Sequence, residues 1–298
     1  MSTTRFVLTP RGDFSLSEAI GFVHGFAPLS LAGNNEIPGT EVLRLAFCAD
    51  RDWHPVVARV HQSGAGRVVV TAAGAADPQA IRRQVERVLS LDIDASALLD
   101  VIADDDVATY LVGELHGLRP VCFASPYEAA CWAVLSQRIQ MTQAARIRRR
   151  MCDELGHVVE LDDVTLAAFP SPEQLLATPS IQGLPQVKVD RLHAIATAAL
   201  DGWLDAATLR AAGPEQALED LQRLPGIGPF GAELVLIRGA GEPDWFARSE
   251  RRLHAAIASA YRVDASDLAA LEAIASRWSP FRSWVGFLFR ARAGVVAA

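Results

Sequence analysis

Short apolar runs with glycine or polar flanks occupy the first third of the chain. Phe6-Val7-Leu8, Val42 to Phe47 and Arg67 to Thr71 are rich in β-branched or apolar residues and predict strands. Between them, Ser17 to Phe26 and Pro78 to Leu91 predict helices, the second with Ile81, Val85, Val88 and Leu89 at helical spacing. An acidic stretch from Asp100 to Asp106 lies near a boundary, and beyond it the pattern becomes almost entirely helical. Ser125-Pro126-Tyr127-Glu128 and Ser171-Pro172-Glu173-Gln174 each set a capping hydroxyl before a first-turn proline. Asp190 to Leu200 predicts a helix ended by Gly202, and Pro214 opens another with Ala217, Leu218, Leu221 and Leu224 on one face. That helix runs into a glycine turn. Phe230 to Arg238 is apolar at most positions and predicts a buried helix; Ser266 to Trp278 and Phe281 to Arg292 close the chain around Pro280. The expected architecture is α+β, with a mixed α/β domain over residues 1–112 followed by an all-α domain over residues 113–298.

Composition adds limits. The 298 residues are 50% apolar, enough for two sizeable cores. No apolar run approaches the roughly 18 residues of a membrane span, and no basic-then-apolar leader opens the sequence. A soluble cytoplasmic protein without membrane contact is expected. Cys48, Cys122, Cys131 and Cys152 are scattered without a C-x-x-C pair, which argues against zinc or iron–sulfur sites and favours buried small apolar roles. The net charge of −7 does not itself suggest nucleic acid, but phosphate binding needs only a local patch. Arginine clusters at Arg146, Arg148, Arg149 and Arg150 and at Arg248, Arg251 and Arg252, whereas Lys188 is the only lysine. Arg146, Arg149 and Arg150 share a helical face by spacing; a solvated face is the default reading and phosphate contact the alternative.

The stretch Leu224-Pro225-Gly226-Ile227-Gly228-Pro229-Phe230-Gly231-Ala232 carries the most chemistry. Gly226 and Gly228 can adopt positive φ and keep side chains clear of a ligand. The helix that follows offers unpaired N–H groups and the positive end of its dipole, which suit a phosphate. A plain connection between two helices is the alternative. About twenty residues on, Glu250 supplies a carboxylate.

The block Leu224 to Ala232, with Arg238-Gly239-Ala240-Gly241, Pro243-Asp244 and Phe246, resembles the helix–hairpin–helix DNA glycosylases, and within them the DNA-3-methyladenine glycosylase II family. Ala133-Val134-Leu135-Ser136-Gln137 resembles that family's first core helix, and Gly183-Leu184-Pro185 with Lys188 and Leu192 its pre-hairpin turn. Trp278-Ser279-Pro280-Phe281-Arg282-Ser283-Trp284 resembles its C-terminal helix pair. The resemblance covers most of the chain and is specific between about 120 and 290. It implies that residues 113–298 form a helix–hairpin–helix glycosylase domain and that the first region is the family's extra α/β domain.

The implied activity is monofunctional excision of alkylated purines, of the 3-methyladenine type, in base-excision repair. The base is flipped from duplex DNA and its N-glycosidic bond hydrolysed. An ionised carboxylate stabilises the oxocarbenium-like sugar. The family's catalytic aspartate corresponds to Glu250 here, with Asp244 at a structural position and a weaker candidate. Because the acid is one methylene longer, a non-catalytic or strongly altered damaged-DNA-binding protein of the same fold is the alternative, with Glu250 paired to Arg251 or Arg252. The resemblance puts Gly226, Ile227, Gly228, Gly231, Gln137, Arg138 and Lys188 at the DNA, with Arg138 filling the gap left by the flipped nucleotide. A surface arginine touching phosphate is the other reading of Arg138. Phe230, Trp278, Leu234 and Arg251 take base-pocket positions, with core packing the alternative for Phe230 and Trp278. Bifunctional relatives carry a lysine where this chain has Phe230, so no strand cleavage is implied. No cofactor is required, though backbone carbonyls of Gln222, Leu224 and Ile227 could hold a monovalent cation. The implied partner is double-stranded DNA with damaged bases, bound by a monomer.

Overall fold

A computed structural model of the chain describes residues 2–25, 41–64, 66–162 and 164–296. Strands β1 (Ser2–Leu8), β2 (Val42–Cys48), β3 (Pro55–Gln62) and β4 (Val68–Gly74) form an antiparallel sheet in the order β1-β4-β3-β2. Register places Leu45 opposite Ala58, Val60 opposite Val70, and Phe6 opposite Val70. The period-two alternation gives the sheet two buried faces. Leu43, Phe47, Val56, Val60, Val70 and Ala72 face one cluster, with α1 (Leu16–Gly25) and α2 (Pro78–Val88) packed on it. Ala46, Cys48, Val57 and Ala73 face the core of the helical region. Of the predicted helix ending at Phe26, that last residue lies outside the described residues.

Next come α3 (Leu98–Val101), α4 (Asp106–Glu114), α5 (Pro126–Leu135) and α6 (Met141–Leu155). Strands β5 (Val158–Leu161) and β6 (Val164–Ala167) pair as a ribbon that packs on the sheet. The second region is therefore not all-α. The ribbon is stabilised by tertiary contact, with Val159, Val164 and Leu166 buried in the central core. The remaining elements are α7 (Pro172–Leu176), α8 (Gln186–Leu200), α9 (Ala206–Ala212), α10 (Pro214–Gln222) and α11 (Pro229–Leu234). A π-helical turn over Val235–Ala240 continues α11 and is followed by α12 (Arg251–Tyr261), α13 (Leu268–Ser276) and α14 (Arg282–Val296). Both serine caps form: Ser125 accepts from the Glu128 N–H (3.1 Å), and Ser171 and Gln174 complete a reciprocal capping box.

Residue 112 is not a packing boundary. Ile102, Ala108 and Leu111 share a core with Ile257, Trp278, Phe287 and Leu288. Buried Asp105 caps α4 through the Ala108 N–H (3.1 Å) and accepts from Tyr261 Oη (2.7 Å) and Trp278 Nε1 (3.1 Å). Arginines bolt the sheet region to the helices. Arg119, 2% exposed, donates to the carbonyls of Arg11, Asp13, Ser90 and Ile93 and stacks near Trp284. Arg87 joins Asp50 (2.7 Å), Ala124 O and Gly239 O. A planar fork with five donors in fixed directions can serve four carbonyls at once, more than the three donors of a lysine. All four cysteines are free and buried. Among the described residues no helix is long and apolar enough to cross a membrane, and no cluster of three His, Cys, Asp or Glu side chains is placed to hold a metal ion.

Candidate nucleic-acid interface

The turn between α10 and α11 is built by backbone conformation. Gly226 holds φ +88, and an added Cβ there would meet Arg191 Cδ at 2.6 Å. The Ile227 N–H closes the turn on Leu224 O (3.0 Å), and Gly228 caps α11 in extended conformation with open space around it. Ala232 donates to Gly228 O (2.9 Å), which leaves the N–H groups of Phe230 and Gly231 at the open end of the helix.

Facing this turn are the end of α5 and the start of α8. Together they enclose a groove of about 930 Å³ lined by residues including Gln137, Arg138, Lys188, Arg191, Arg223 and Gly226. Four of those side chains are basic, and among the described residues no Asp or Glu lines the groove. In a chain of net charge −7 this is a strong local excess of positive charge.

The walls are tied together. Gln137 Nε2 donates to Gly226 O (2.6 Å), while Arg191 Nη1 donates to Gln137 Oε1 (3.1 Å). Lys188 is buried, and its ammonium donates to Leu135 O (2.7 Å) and Gln137 O (2.8 Å), closing the C-terminal end of α5. Burial, and then the charge of Arg191, push the Lys188 pKa down. Gln137 and Lys188 thus brace the groove through bonds within the protein. Arg138 stands exposed beside them with φ +57, a backbone conformation uncommon outside glycine.

The other expected site residues differ in burial and position. Trp278 is fully buried, stacked on Phe289 and bonded to Asp105, the core packing that was its alternative reading. Ile227 has a buried side chain and an N–H already used in the turn; Gly231 is buried against Ala133. Ile227 nonetheless lines the groove, and Gly231 does not. Phe230 shows the opposite departure: it is 47% exposed at the start of α11, where a buried helix was expected. Leu234 is half-buried and Arg251 exposed. In the basic run, Arg148 is buried on Glu128 (2.9 Å), Arg149 pairs with Asp153, Arg150 donates to Gln182, and Arg146 is exposed.

Glu250 caps α12. Its carboxylate accepts from the Arg252 N–H (3.3 Å) and faces Arg290 Nε at 3.8 Å, so its cationic neighbour is Arg290 on α14 and not the side chain of Arg251 or Arg252. The carboxylate remains partly open to solvent and does not line the groove. Asp244 is locked by Arg282, through Nε–Oδ1 (2.7 Å) and Nη2–Oδ2 (3.0 Å), and by Ser279 Oγ (2.8 Å). Burial raises the Asp244 pKa, but the bonds from Arg282 and Ser279 outweigh it and hold the carboxyl below its usual range. It fastens the loop before Glu250 to α14.

No family model matches the chain. The probable bifunctional transcriptional activator/DNA repair enzyme AlkA of Mycobacterium tuberculosis is 31% identical over 202 residues, covering 66% of this chain and 40% of that protein. The DNA-3-methyladenine glycosylase 2 of Escherichia coli is 27% identical over 198 residues, covering 63% of this chain and 67% of that protein. The 3-methyladenine DNA glycosylase from Archaeoglobus fulgidus superposes with a TM-score of 0.78 at 22% identity, over 95% of this chain and 96% of that one. The chain is thus similar in sequence to these DNA repair proteins and shares the fold of the Archaeoglobus glycosylase. It spans 40% of the length of the first curated relatives it matches. The likeness of fold to the Archaeoglobus glycosylase takes in both the sheet region and the helices.

Sequence reasoning missed Arg191, Arg223, Glu233 and Arg290. Arg191 follows Lys188 by three helical positions, a spacing that puts both on one face. Glu233 is a lone acid within an apolar stretch, the usual mark of a buried polar group with dedicated partners.

Proposed function

We propose that this chain is a monofunctional DNA glycosylase that excises alkylated purines of the 3-methyladenine type and leaves an abasic site. The observation that carries this reading is the basic, carboxylate-free groove opposite the glycine turn, in a chain with the glycosylase fold. A duplex lays one phosphate on the open amides after Gly228, and the contact positions the strand without reading sequence. Arg138 enters the gap left by the flipped nucleotide. Phe230, exposed at the helix start, offers an aromatic face to a cationic base.

Glu250 supplies the negative charge that stabilises the developing oxocarbenium ion and orients water for attack on the sugar carbon. The bond broken joins that carbon to the base nitrogen, and water supplies the hydroxyl of the abasic product. Schiff-base strand cleavage is not available: the only lysine is buried with its ammonium bonded to two carbonyls. The carbonyls of Gln222, Leu224 and Ile227 are neutral oxygen donors that suit a monovalent cation, which would add positive charge beside a bound phosphate. The protein acts as a monomer in the cytoplasm on double-stranded DNA with damaged bases. A damaged-DNA-binding protein without cleavage is the second reading, favoured by the glutamate at position 250. Incubation with alkylated duplex DNA decides between them: released base supports the enzyme, and binding without release supports the second reading.

A further inference from the structure

We infer that Glu233 is a positioning residue for Glu250. The role rests on the glycosylase reading above. Glu233 lies on α11, five residues after Gly228, and is 6% exposed. Its carboxylate accepts the backbone N–H of Arg248 on Oε1 (2.8 Å) and that of Ser249 on Oε2 (2.9 Å). The Trp245 indole N–H lies 3.4 Å from Oε1. No ion pair to Glu233 is found among the described residues, so N–H dipoles alone offset the burial of this charge.

Two consecutive amides fixed on one carboxylate leave little freedom for the next residue, which is Glu250. The same loop is held from the other side, where Ser283 Oγ accepts the Trp245 N–H (2.9 Å) and donates to Trp245 O (3.0 Å). The Arg248 side chain pairs with Glu272 (2.6 Å) and lies over the Trp245 ring. The chain of contacts therefore runs from the glycine turn through α11 and Glu233 to the loop that carries the carboxylate. It links the strand-holding element to the reacting group without Glu233 touching substrate. A longer acid at position 250 makes such control more demanding, since errors on the ångström scale can cost about a hundredfold in rate.

The test is single-turnover base release from alkylated duplex by the full chain carrying E233Q, which keeps the shape but turns one acceptor into a donor. Release is expected to fall on the order of tenfold or more. Affinity for an abasic-site duplex should stay within about twofold, because the groove is untouched. In an E250Q background, E233Q should add no further loss. A strut that is only structural would lower Tm and leave the rate below Tm unchanged. Should E233Q fail to fold, E233D retains the charge one methylene short and is expected to show the same split between rate and affinity. An undiminished rate in the folded variant, or a loss that adds to that of E250Q, overturns the role of Glu233. No release from the wild type overturns the glycosylase reading and this role with it.

Discussion

Alanine at Gly226 and alanine at Gly228 have opposite expected consequences, although the two glycines are two residues apart. Gly226 has φ +88, where a side chain costs about 1–2 kcal/mol. The new methyl would also lie 2.6 Å from Arg191 Cδ, so Arg191 must swing aside and release Gln137 Oε1. Loss of that bond adds about 0.5–1.5 kcal/mol. The total of about 2 kcal/mol corresponds to a Tm lower by roughly 5 °C. Gly228 has φ −93 and nothing within 4 Å of the place a methyl would take, so G228A costs less than about 1 kcal/mol through the weaker cap. Its methyl stands where a phosphate would approach the open amides. G228A should therefore keep its Tm within about 3 °C and lose on the order of tenfold in affinity for an abasic-site duplex. Thermal unfolding and fluorescence anisotropy read the two effects separately. Wild-type affinity in stable G228A would refute phosphate binding at the turn, and an unchanged Tm in G226A would refute the strain argument.

Asp105 provides a pH test. Burial raises its pKa, but bonds from Tyr261, Ala108, Trp278 and Arg277 outweigh that, and the net shift is downward. Its contribution to stability is therefore full above the unfolded value of about 3.9 and is lost as pH falls through the folded value; D105N should cost about 2 kcal/mol at neutral pH and flatten the acid limb in denaturant titrations, whereas an unaltered limb would contradict the assignment. Arg138 sits at φ +57, so R138G relieves backbone strain and should leave Tm within about 3 °C. Affinity for the abasic-site duplex should fall about tenfold, and wild-type affinity in R138G would remove Arg138 from the interface.

Local pattern made three strands of the sheet, most helices and the glycine turn legible. Strand β3 was not, because Val56, Ala58 and Val60 serve one core and Val57 the other, with Arg59 interrupting the run. The β5–β6 ribbon was hidden for a related reason: four-residue strands gain their stability from the sheet beneath them. Aromatic spacing likewise does not separate a pocket from a core. Trp278 is a core residue because its indole meets Asp105, 173 positions earlier in the chain. Arg148 reads as one of a cluster of arginines until Glu128, twenty positions earlier, draws it inside. Gly226, Gly228 and Arg138, which line the groove, were named from the turn and the family resemblance. Arg290 and Glu233 were not, since both act through tertiary contacts around Glu250.

In the proposed reaction Glu250, at the start of α12 beside Arg290, performs the chemistry of base release. Single-turnover release of 3-methyladenine from alkylated duplex, compared between the wild type and E250Q, tests it most directly. The wild type should release base well above the uncatalysed rate. E250Q should fall on the order of a hundredfold or more while still binding an abasic-site duplex. Release by E250Q at the wild-type rate would contradict the role of Glu250, and no release by the wild type would contradict the enzyme.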